Sequence, residues 1–332
     1  MIITIGAFDG FHRGHARLLE EARRLAVPAG ESWGAVTFHP HPGVFLGFLG
    51  ATLFTERERE LIRRFLGVPH LFILQFDRAL QELLPEVFWC GLKETFRRHG
   101  MGISGVVTGR DFRFGLDQKG TPKALDTFCR AEGLPAVVLD LLEHGKTRCS
   151  STEARRAVAS GDVRRAEEIL GYPWFIWSRV VPGNQRGRTL GFPTANLELP
   201  GAGRVLPAPG VYAAALPIHG QWHAGALSVG DNPTFGDVHE TRAEVFVLDF
   251  RGDLYGDDLP VLLLDRLRSL QRFPDGRSLA GQIERDVAQC RDIFQRGLEA
   301  RPEFFASFAS CVEAMSAEGP FVPDVWRLAG AD

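Results

Sequence analysis

The sequence predicts two domains of different classes, an α/β domain followed by an antiparallel β domain. The 332 residues exceed the length of most single domains. In the first half, short β-rich apolar runs alternate with segments of helical period. Beyond Gly171, glycine and proline become dense while apolar runs shorten and alternate. We therefore predict domains at residues 1–170 and 171–298, with 299–332 as a C-terminal extension of unknown role.

The first domain is predicted to hold a parallel sheet covered by helices. Leu18, Leu19 and Ala22 fall on one helical stripe, and the segment 61–66 forms another, with charged residues on the opposite faces. A helical pair is expected near residues 153–170. Strands are predicted at residues 2–5, 33–38, 71–76, 106–108 and 136–139.

The second domain is predicted to be an antiparallel sheet or barrel followed by a helix at 278–298. Its alternating segments, punctuated by turn residues, lie at residues 175–181, 211–216, 222–229, 243–250 and 259–264. The extension contains Phe304, Phe305, Phe308 and Trp326, so it is too apolar for a disordered tail. We expect it to pack, either as a cap on the barrel or in a subunit contact.

Composition narrows the functional classes. Lys+Arg is 38 against 41 Asp+Glu, a net charge of -3, so no global cationic field attracts nucleic acid or anionic lipid. The five cysteines are odd in number and lack CxxC spacing, which fits neither a disulfide framework nor a zinc site. No charged leader and no apolar run of membrane-spanning length occurs. These features predict a cytoplasmic protein without a membrane partner.

A glycine-rich loop with two histidines follows the first predicted strand. Residues 6–15 read GAFDGFHRGH and lead into the amphipathic helix, with His12 and His15 on one face of its start. Helix N-termini attract phosphate, and imidazoles placed there can stabilise the pentavalent centre of nucleotidyl transfer. A His-x-x-His pair alone more often caps a helix, but the order of strand, glycine-rich loop, HxGH and helix is more specific. GxGxxG and GxxxxGK[ST] are both absent, which disfavours a dehydrogenase and a Walker-type kinase.

This loop resembles the ATP-binding signature of the HxGH nucleotidyltransferase superfamily, specifically the N-terminal module of bacterial bifunctional riboflavin kinase/FAD synthetases. Three segments agree in order: TFHPHP at 37–42 resembles TFxPHP, GRDFRFG at 109–115 resembles GxDFRFG, and SSTEAR at 150–155 resembles SSTxxR. Ala7 stands where the family often has Asn, Thr or Val. The resemblance implies a Rossmann-like nucleotidyltransferase domain.

Residues 150–155 also have a physical interpretation of their own. Ser150 and Glu153 form a capping-box pattern, and an ordinary helix cap is the simpler alternative. The hydroxyls together with Arg148 and Arg155 would form an anion pocket suited to a triphosphate.

The resemblance implies roles for individual residues of the first domain. His12 and His15 would contact the ATP phosphates and the transition state. The other ATP-binding residues implied for this domain are Gly6, Phe8, Asp9, Gly10, Gly14, Arg148, Ser151, Thr152 and Arg155. The flavin-binding residues implied are Asp111, Phe112 and Phe114.

A second motif lies past the predicted boundary, at residues 187–196, which read GRTLGFPTAN. Thr194 and Asn196 are two apart, so in an extended segment they share a face. Their hydroxyl and amide oxygens are hard ligands suited to Mg²⁺. A plain turn in which the Asn bonds its own backbone is the alternative.

This stretch resembles the riboflavin kinase motif GRxLGFPTAN. GVYA at 210–213, NPTF at 232–235, LDF at 248–250 and DLYG at 253–256 resemble later blocks of that family. The resemblance implies an antiparallel barrel with a terminal helix, in which Glu244 is the general base. It further implies ATP binding by Gly187 and Arg188 and Mg²⁺ binding by Thr194 and Asn196.

Three positions near these motifs qualify the assignment. Glu240 is the nearby competitor of Glu244 for the role of base. Phe246 stands where many members have His, and Leu270 stands where members often have Glu.

The resemblance spans about residues 1–298 and implies a bifunctional transferase of flavin cofactor biosynthesis. It would phosphorylate riboflavin to FMN with MgATP and adenylylate FMN to FAD with release of pyrophosphate. Its partners would be ATP, riboflavin and FMN, without nucleic acid, and the enzyme would be a monomer or a weak homo-oligomer. Two alternatives stay open: one domain reduced to flavin or nucleotide binding, or a nucleic-acid-binding regulator, which the net charge disfavours.

Overall fold

The structure, a computed structural model, describes residues 1–140, 142–144, 147–182, 191–199, 201, 203–231, 241–319 and 321–331. Contacts divide the chain into two compact units. The first comprises Met1–Ser151 together with Phe321–Asp332, and the second comprises Thr152–Pro320.

The first unit is built on a six-stranded sheet in which every paired neighbour is parallel. Its strands are β1 (Ile2–Ile5), β2 (Trp33–His39), β3 (His70–Gln75), β4 (Gly105–Gly109), β5 (Ala136–Leu139) and β14 (Val325–Trp326). The strand order is β14-β3-β2-β1-β4-β5. From β1 the chain adds β2 and β3 on one side and then β4 and β5 on the other, so the order reverses at β1. In such sheets the crevice beyond the carboxyl ends at the reversal point is where ligands bind.

Helices cover this sheet, and local signals explain where they begin. The helices are α1 (Arg13–Ala26), α2 (Pro42–Phe45), α3 (Glu56–Phe65), α4 (Arg78–Gln81), α5 (Pro85–Arg98) and α6 (Pro122–Ala131). Thr55 and Glu58 form a reciprocal capping box at the start of α3. A short hairpin of β6 (Glu143–His144) and β7 (Thr147–Arg148) precedes the unit boundary.

The second unit is a closed antiparallel barrel with helices before and after it. Its strands are β8 (Phe175–Val181), β9 (Thr194–Leu197), β10 (Gly210–Ile218), β11 (Gln221–Asp231), β12 (Thr241–Val247) and β13 (Asp258–Arg268), in the order β10-β11-β12-β9-β8-β13. Its helices are α7 (Ser151–Ser160), α8 (Val163–Leu170), α9 (Gly276–Ala300) and α10 (Pro302–Ala317). The predicted α/β plus β-barrel class is confirmed.

The division of contacts falls earlier in the chain than the predicted boundary at 170/171. Helix α8 packs on strand β13, and Arg164 Nη2 lies 2.6 Å from Asp265 Oδ2 there. Gly161, which joins α7 to α8, leaves no space for a Cβ beside the Tyr212 hydroxyl. Helices that read as the end of the first domain therefore pack with the barrel.

The extension contributes to both units. Phe305 and Phe308 of α10 are buried, and Trp222 of β11 packs edge-on against Phe305 at 4.8 Å between centroids. Strand β14 instead pairs with β3 of the first unit, with Trp326 opposite Leu74. No helix in the described ranges is long and apolar enough to cross a bilayer.

Candidate active sites

The two histidines of the HxGH motif lie stacked at the start of α1, directly after β1. Their ring centroids are 3.7 Å apart with an interplanar angle of 19°. His12 is the N-cap residue, and its Nδ1 accepts a hydrogen bond from the His15 backbone N–H at 3.3 Å. That bond leaves the proton of a neutral His12 ring on Nε2. The positive end of a 14-residue helix therefore carries two imidazoles at the sheet's reversal point.

The loop between β1 and α1 is held in an unusual backbone conformation. Phe8 and Phe11 have φ angles of 45° and 38°, and Gly10 has 91°. For aromatic residues these values are strained, and such strain concentrates at functional sites. Both Phe side chains are fully buried, and the Phe8 ring lies 4.8 Å from that of His15. The buried Phe8 ring therefore supports the His15 ring.

Two predicted ATP-binding residues of this loop turn their side chains inward. Phe8 is completely buried, and Asp9 is 1% exposed. Asp9 Oδ1 accepts a hydrogen bond from the Leu53 backbone N–H at 2.8 Å. Gly6 donates its N–H to the Val36 carbonyl at 3.1 Å, which ties the loop to β2. The side chains of Phe8 and Asp9 stabilise the loop conformation. An ATP contact from either residue would therefore involve its backbone.

His15 has an electrostatic environment that keeps its ring neutral. Burial, then the neighbouring His12 and then Arg59 hold the pKa of His15 well below its usual value of 6.5. Its Nδ1 is buried and has no hydrogen-bond partner among the described residues. A neutral imidazole can still donate one hydrogen bond through its protonated nitrogen and accept one through the other.

The start of α7 reaches the same loop. Ser151 Oγ donates a hydrogen bond to the Asp9 carbonyl at 2.6 Å. A Cβ on Gly14 would lie 3.2 Å from the Cys149 carbonyl, so the chain before α7 runs against α1. The structure thus brings Ser151 to the predicted ATP site. Thr152 and Arg155 belong to the second unit, where Arg155 Nη2 donates to Thr152 Oγ1 at 3.3 Å.

The predicted flavin-binding residues divide into an exposed and a buried part. The exposed Asp111 carboxylate is hydrogen-bonded to the Arg148 guanidinium, which joins a predicted flavin residue to a predicted ATP residue. The Phe112 and Phe114 rings stack at 5.3 Å. Phe114 is 6% exposed and packs against Phe88, so its ring is mainly part of the core.

The second site lies on the outward face of paired strands β9 and β12. Asn196 is directly opposite Glu244 in the register, and Thr194 Oγ1 donates a hydrogen bond to Glu244 Oε2 at 3.2 Å. Val245 is buried while Glu244 is not, because alternate residues of β12 face the barrel interior. The barrel register therefore gathers the predicted base and both predicted metal ligands on one face.

The surroundings of this site combine apolar and oxygen groups. A small cleft of about 90 Å³ nearby is lined by Thr194, Val247, Tyr255 and neighbouring residues, but not by Glu244 or Asn196. Phe246 packs edge-on against Phe192 at 5.4 Å between ring centroids. Leu270 is 41% exposed and lies against Gly230, where a Cβ would collide with it. Gly187, Arg188, the competitor Glu240 and the NPTF block at 232–235 lie outside the described residues.

Comparisons with known proteins match both units. A family model for FAD synthetase matches residues 1–153, and one for riboflavin kinase matches residues 170–294. Curated bifunctional riboflavin kinase/FMN adenylyltransferases from Listeria monocytogenes and Escherichia coli (strain K12) are 30% and 34% identical. They cover 89% and 88% of this chain and 93% and 92% of their own lengths. The chain belongs to the bifunctional riboflavin kinase/FMN adenylyltransferase family.

A solved structure extends this likeness to three dimensions. A crystal structure from Streptococcus pneumoniae, described as that of a macrolide-efflux protein, is 33% identical with a TM-score of 0.76. It covers 87% of this chain and 93% of its own. The matched family segments end at residue 294, so α10 and β14 lie outside them.

Sequence reasoning did not single out two buried residues that lie beside the HxGH loop in the structure. Arg59 of α3 is 4% exposed, and its Nη2 donates a hydrogen bond to Thr37 Oγ1 at 2.6 Å. Thr37 in turn donates to the Ala7 carbonyl at 2.9 Å. Thr37 opens the quoted TFHPHP segment, so its signal was present in the sequence. Arg59 sits among other charged residues of α3 and carries no distinguishing local signal.

Proposed function

We propose that this enzyme phosphorylates riboflavin to FMN with ATP and then adenylylates FMN to FAD, releasing pyrophosphate. The observation that carries the proposal is that each unit holds its own chemically distinct set of side chains. The first unit has the stacked histidines at a helix start, and the second has an oxygen-rich face around Glu244. Family membership supplies the two substrates.

In adenylyl transfer, an FMN phosphate oxygen attacks the α-phosphorus of ATP and the bond to pyrophosphate breaks. His12, with its proton on Nε2, is suited to donate to a non-bridging oxygen whose charge grows in the transition state. His15 is neutral at physiological pH and contributes a second hydrogen bond without requiring a proton from solvent. The N-terminus of α1 adds its dipole to the same charge.

The remaining residues of the first unit would bind and orient the substrates. Ser151, placed against the Asp9 carbonyl, would receive the triphosphate. For Thr152 and Arg155 the triphosphate role rests on the SSTxxR motif alone. The exposed Arg148 and Asp111 would lie between the nucleotide and the flavin. Phe112, half-buried beside Phe114, would offer its ring to the isoalloxazine. Gly10 and Gly14 leave space for close approach.

In riboflavin phosphorylation, the ribityl 5'-hydroxyl attacks the γ-phosphorus of ATP. Glu244 would take the hydroxyl proton as the O–P bond forms, and general-base help of this kind is worth about 10²- to 10⁴-fold. Thr194 donates to Glu244 and thereby orients the carboxylate. Gly187 and Arg188 would bind ATP as the family motif implies.

Mg²⁺ is the metal that the second site fits. No group of three or more His, Cys, Asp or Glu side chains suited to a metal is found in the parts of the chain that the structure describes. Thr194 and Asn196 provide two hard oxygens beside a carboxylate, which suits an ion that keeps most of its waters and binds substrate phosphates. When bound, Mg²⁺ would neutralise charge on the transferred phosphate.

The proposal also covers the partners, the cellular location and the oligomeric state of the enzyme. ATP, riboflavin and FMN are its partners, and we place it in the cytoplasm as a monomer or weak homo-oligomer. None of the five cysteines, all of which the structure describes, forms a disulfide, which fits a reducing compartment.

The test separates the two activities. Glu244→Gln should abolish FMN formation but spare FAD formation from supplied FMN. His12→Asn should do the reverse, because Asn retains the helix cap but lacks the imidazole. Glu198→Gln, an exposed carboxylate just after β9, is the matched control and should keep both activities. Loss of both activities in one folded variant would refute the separate-site proposal, which chromatography of the flavin products would reveal.

A further inference from the structure

Arg59 of α3 is a buried cation next to the loop between β1 and α1, which we call the histidine loop. The reactions proposed above do not use it. Arg59 is 4% exposed, whereas Arg63 and Arg64 on the same helix form ordinary ion pairs with Glu60. Burying a guanidinium is costly unless its donors are paired. The Nε of Arg59 is buried without a hydrogen-bond partner among the described residues. Arg59 therefore lowers the stability of the fold relative to an apolar side chain of similar size at this position.

A chain of hydrogen bonds connects Arg59 to the histidine loop. Its Nη2 donates to Thr37 Oγ1 at 2.6 Å, and Thr37 Oγ1 donates to the Ala7 carbonyl at 2.9 Å. Thr37 is fully buried, so no solvent competes for either bond. Ala7 precedes the strained Phe8, whose ring supports His15. A two-bond chain thus connects α3, the end of β2 and the loop that carries the histidines.

The charge of Arg59 also acts on the histidine pair. Burial is the main cause that disfavours protonation of His15, followed by His12 and then by the charge of Arg59. The acidic groups facing Arg59 are Asp9 in the loop and Glu56 at the start of α3, whose carboxylate contacts His39 Nδ1 at 2.6 Å. Burial lowers the pKa of Arg59 and the two carboxylates oppose that shift, but a guanidinium starts from so high a pKa that it stays charged.

We propose that Arg59 is a positioning residue for adenylyl transfer, holding the Ala7 carbonyl through Thr37 and keeping a fixed positive charge beside the histidine pair. The inference rests on the proposed function of the first unit. It assigns two separable effects to one side chain. The hydrogen-bond chain fixes the loop geometry, and the charge adds to burial and to His12 in disfavouring protonation of His15.

Three variants separate these effects. Arg59→Met removes the charge and the hydrogen bonds, Arg59→Lys keeps the charge but not the planar fork, and Thr37→Val breaks the chain while keeping the charge. Each is assayed for FAD formation from FMN and ATP across pH 5 to 9, with riboflavin phosphorylation as an internal control. NMR titration of the His15 ring reports its protonation directly.

Arg59→Met should shift the His15 titration, and the acidic limb of kcat/KM, to higher pH. Arg59→Lys should restore the wild-type position of that limb. Thr37→Val should lower kcat about tenfold at every pH without moving the limb, since small displacements of reacting groups are costly. Riboflavin phosphorylation should not change in any variant.

The inference is overturned if His15 titrates identically in Arg59→Met and wild type, or if Thr37→Val keeps full adenylyl transfer. If Arg59→Met does not fold, Thr37→Val and Arg59→Lys still decide, because a limb that moves in the lysine variant contradicts the charge effect. Wild-type protein that forms no FAD at any pH would refute the proposed function instead. The NMR titration would then still test whether Arg59 acts on His15.

Discussion

Replacing Gly14 by alanine separates helix stability from catalytic geometry with one methyl group. Gly14 lies in the first turn of α1, between the two histidines. A Cβ there would lie 3.0 Å from Cε1 and Nδ1 of His12 and 3.2 Å from the Cys149 carbonyl oxygen. Carbon contacts normally lie near 3.5–4.0 Å, so the methyl is squeezed between a ring and a backbone carbonyl. The ring is the group that can move.

The two consequences have opposite signs. Alanine is favoured over glycine within a helix by up to about 1 kcal/mol, so the first unit should unfold no more easily. A displacement of about half an ångström is needed to relieve the contacts, and 1 Å of misplacement costs about 10²-fold in rate. We therefore expect adenylyl transfer to fall about tenfold, about 1.4 kcal/mol in the activation barrier.

The assay is FAD formation from FMN and ATP, with riboflavin phosphorylation and thermal unfolding measured on the same preparation. Gly281→Ala is the matched control, because Gly281 lies in α9 and its nearest neighbour, an Arg285 nitrogen, would be 3.9 Å from the new methyl. It should leave both activities unchanged. Full adenylyl transfer in Gly14→Ala, with unfolding as in the wild type, would refute the conclusion that the His12 ring position limits the reaction.

Three further predictions concern stability. Because the pKa of His15 is depressed, its contribution is present above pH 6.5 and lost as the pH falls below that value. Wild type should lose up to about 1 kcal/mol more than His15→Gln between pH 6.5 and 5.5 in denaturant titrations, and equal losses would contradict this. Trp326→Ala should destabilise the first unit by about 2 kcal/mol without lowering riboflavin phosphorylation, because its ring stacks on His99 at 3.9 Å; an unchanged unfolding midpoint would show that β14 contributes nothing. Asp286→Ala should lower the free energy of unfolding of the second unit by about 3–5 kcal/mol, because it removes the carboxylate that lies 2.7 Å from Arg268 Nη2. Calorimetry would detect the loss, and a change below about 1 kcal/mol would contradict it.

Strands of the parallel sheet were predictable because their signal is local. Buried parallel strands are continuous apolar runs, and the prediction at 2–5 matches Ile2–Ile5, while that at 33–38 ends one residue before His39. Strand β14 has only two residues and no such signal. It is a strand because β3 offers an unpaired edge and Trp326 finds an aromatic cluster of Phe72, Phe96 and His99.

Site residues were predictable to the extent that one motif carries them. His12 and His15 are three apart, so helical geometry alone places them on one face. The Ser151 contact with Asp9 joins residues far apart in sequence, and only the motif resemblance indicated that they belong together. Arg59 had neither kind of signal, because its role depends on burial beneath a loop from another part of the chain.

The sequence by itself determined the two fold classes, the histidine pair at a helix start and the family, because each depends on local order and composition along the chain. Tertiary structure alone decided that Asn196 faces Glu244 across two strands, that Arg59 reaches Ala7 through Thr37, and that the extension serves both units. These features depend on strand register, burial and long-range packing. A linear sequence contains no periodic signal for them, since the free energy that selects them comes from contacts formed only in the folded chain.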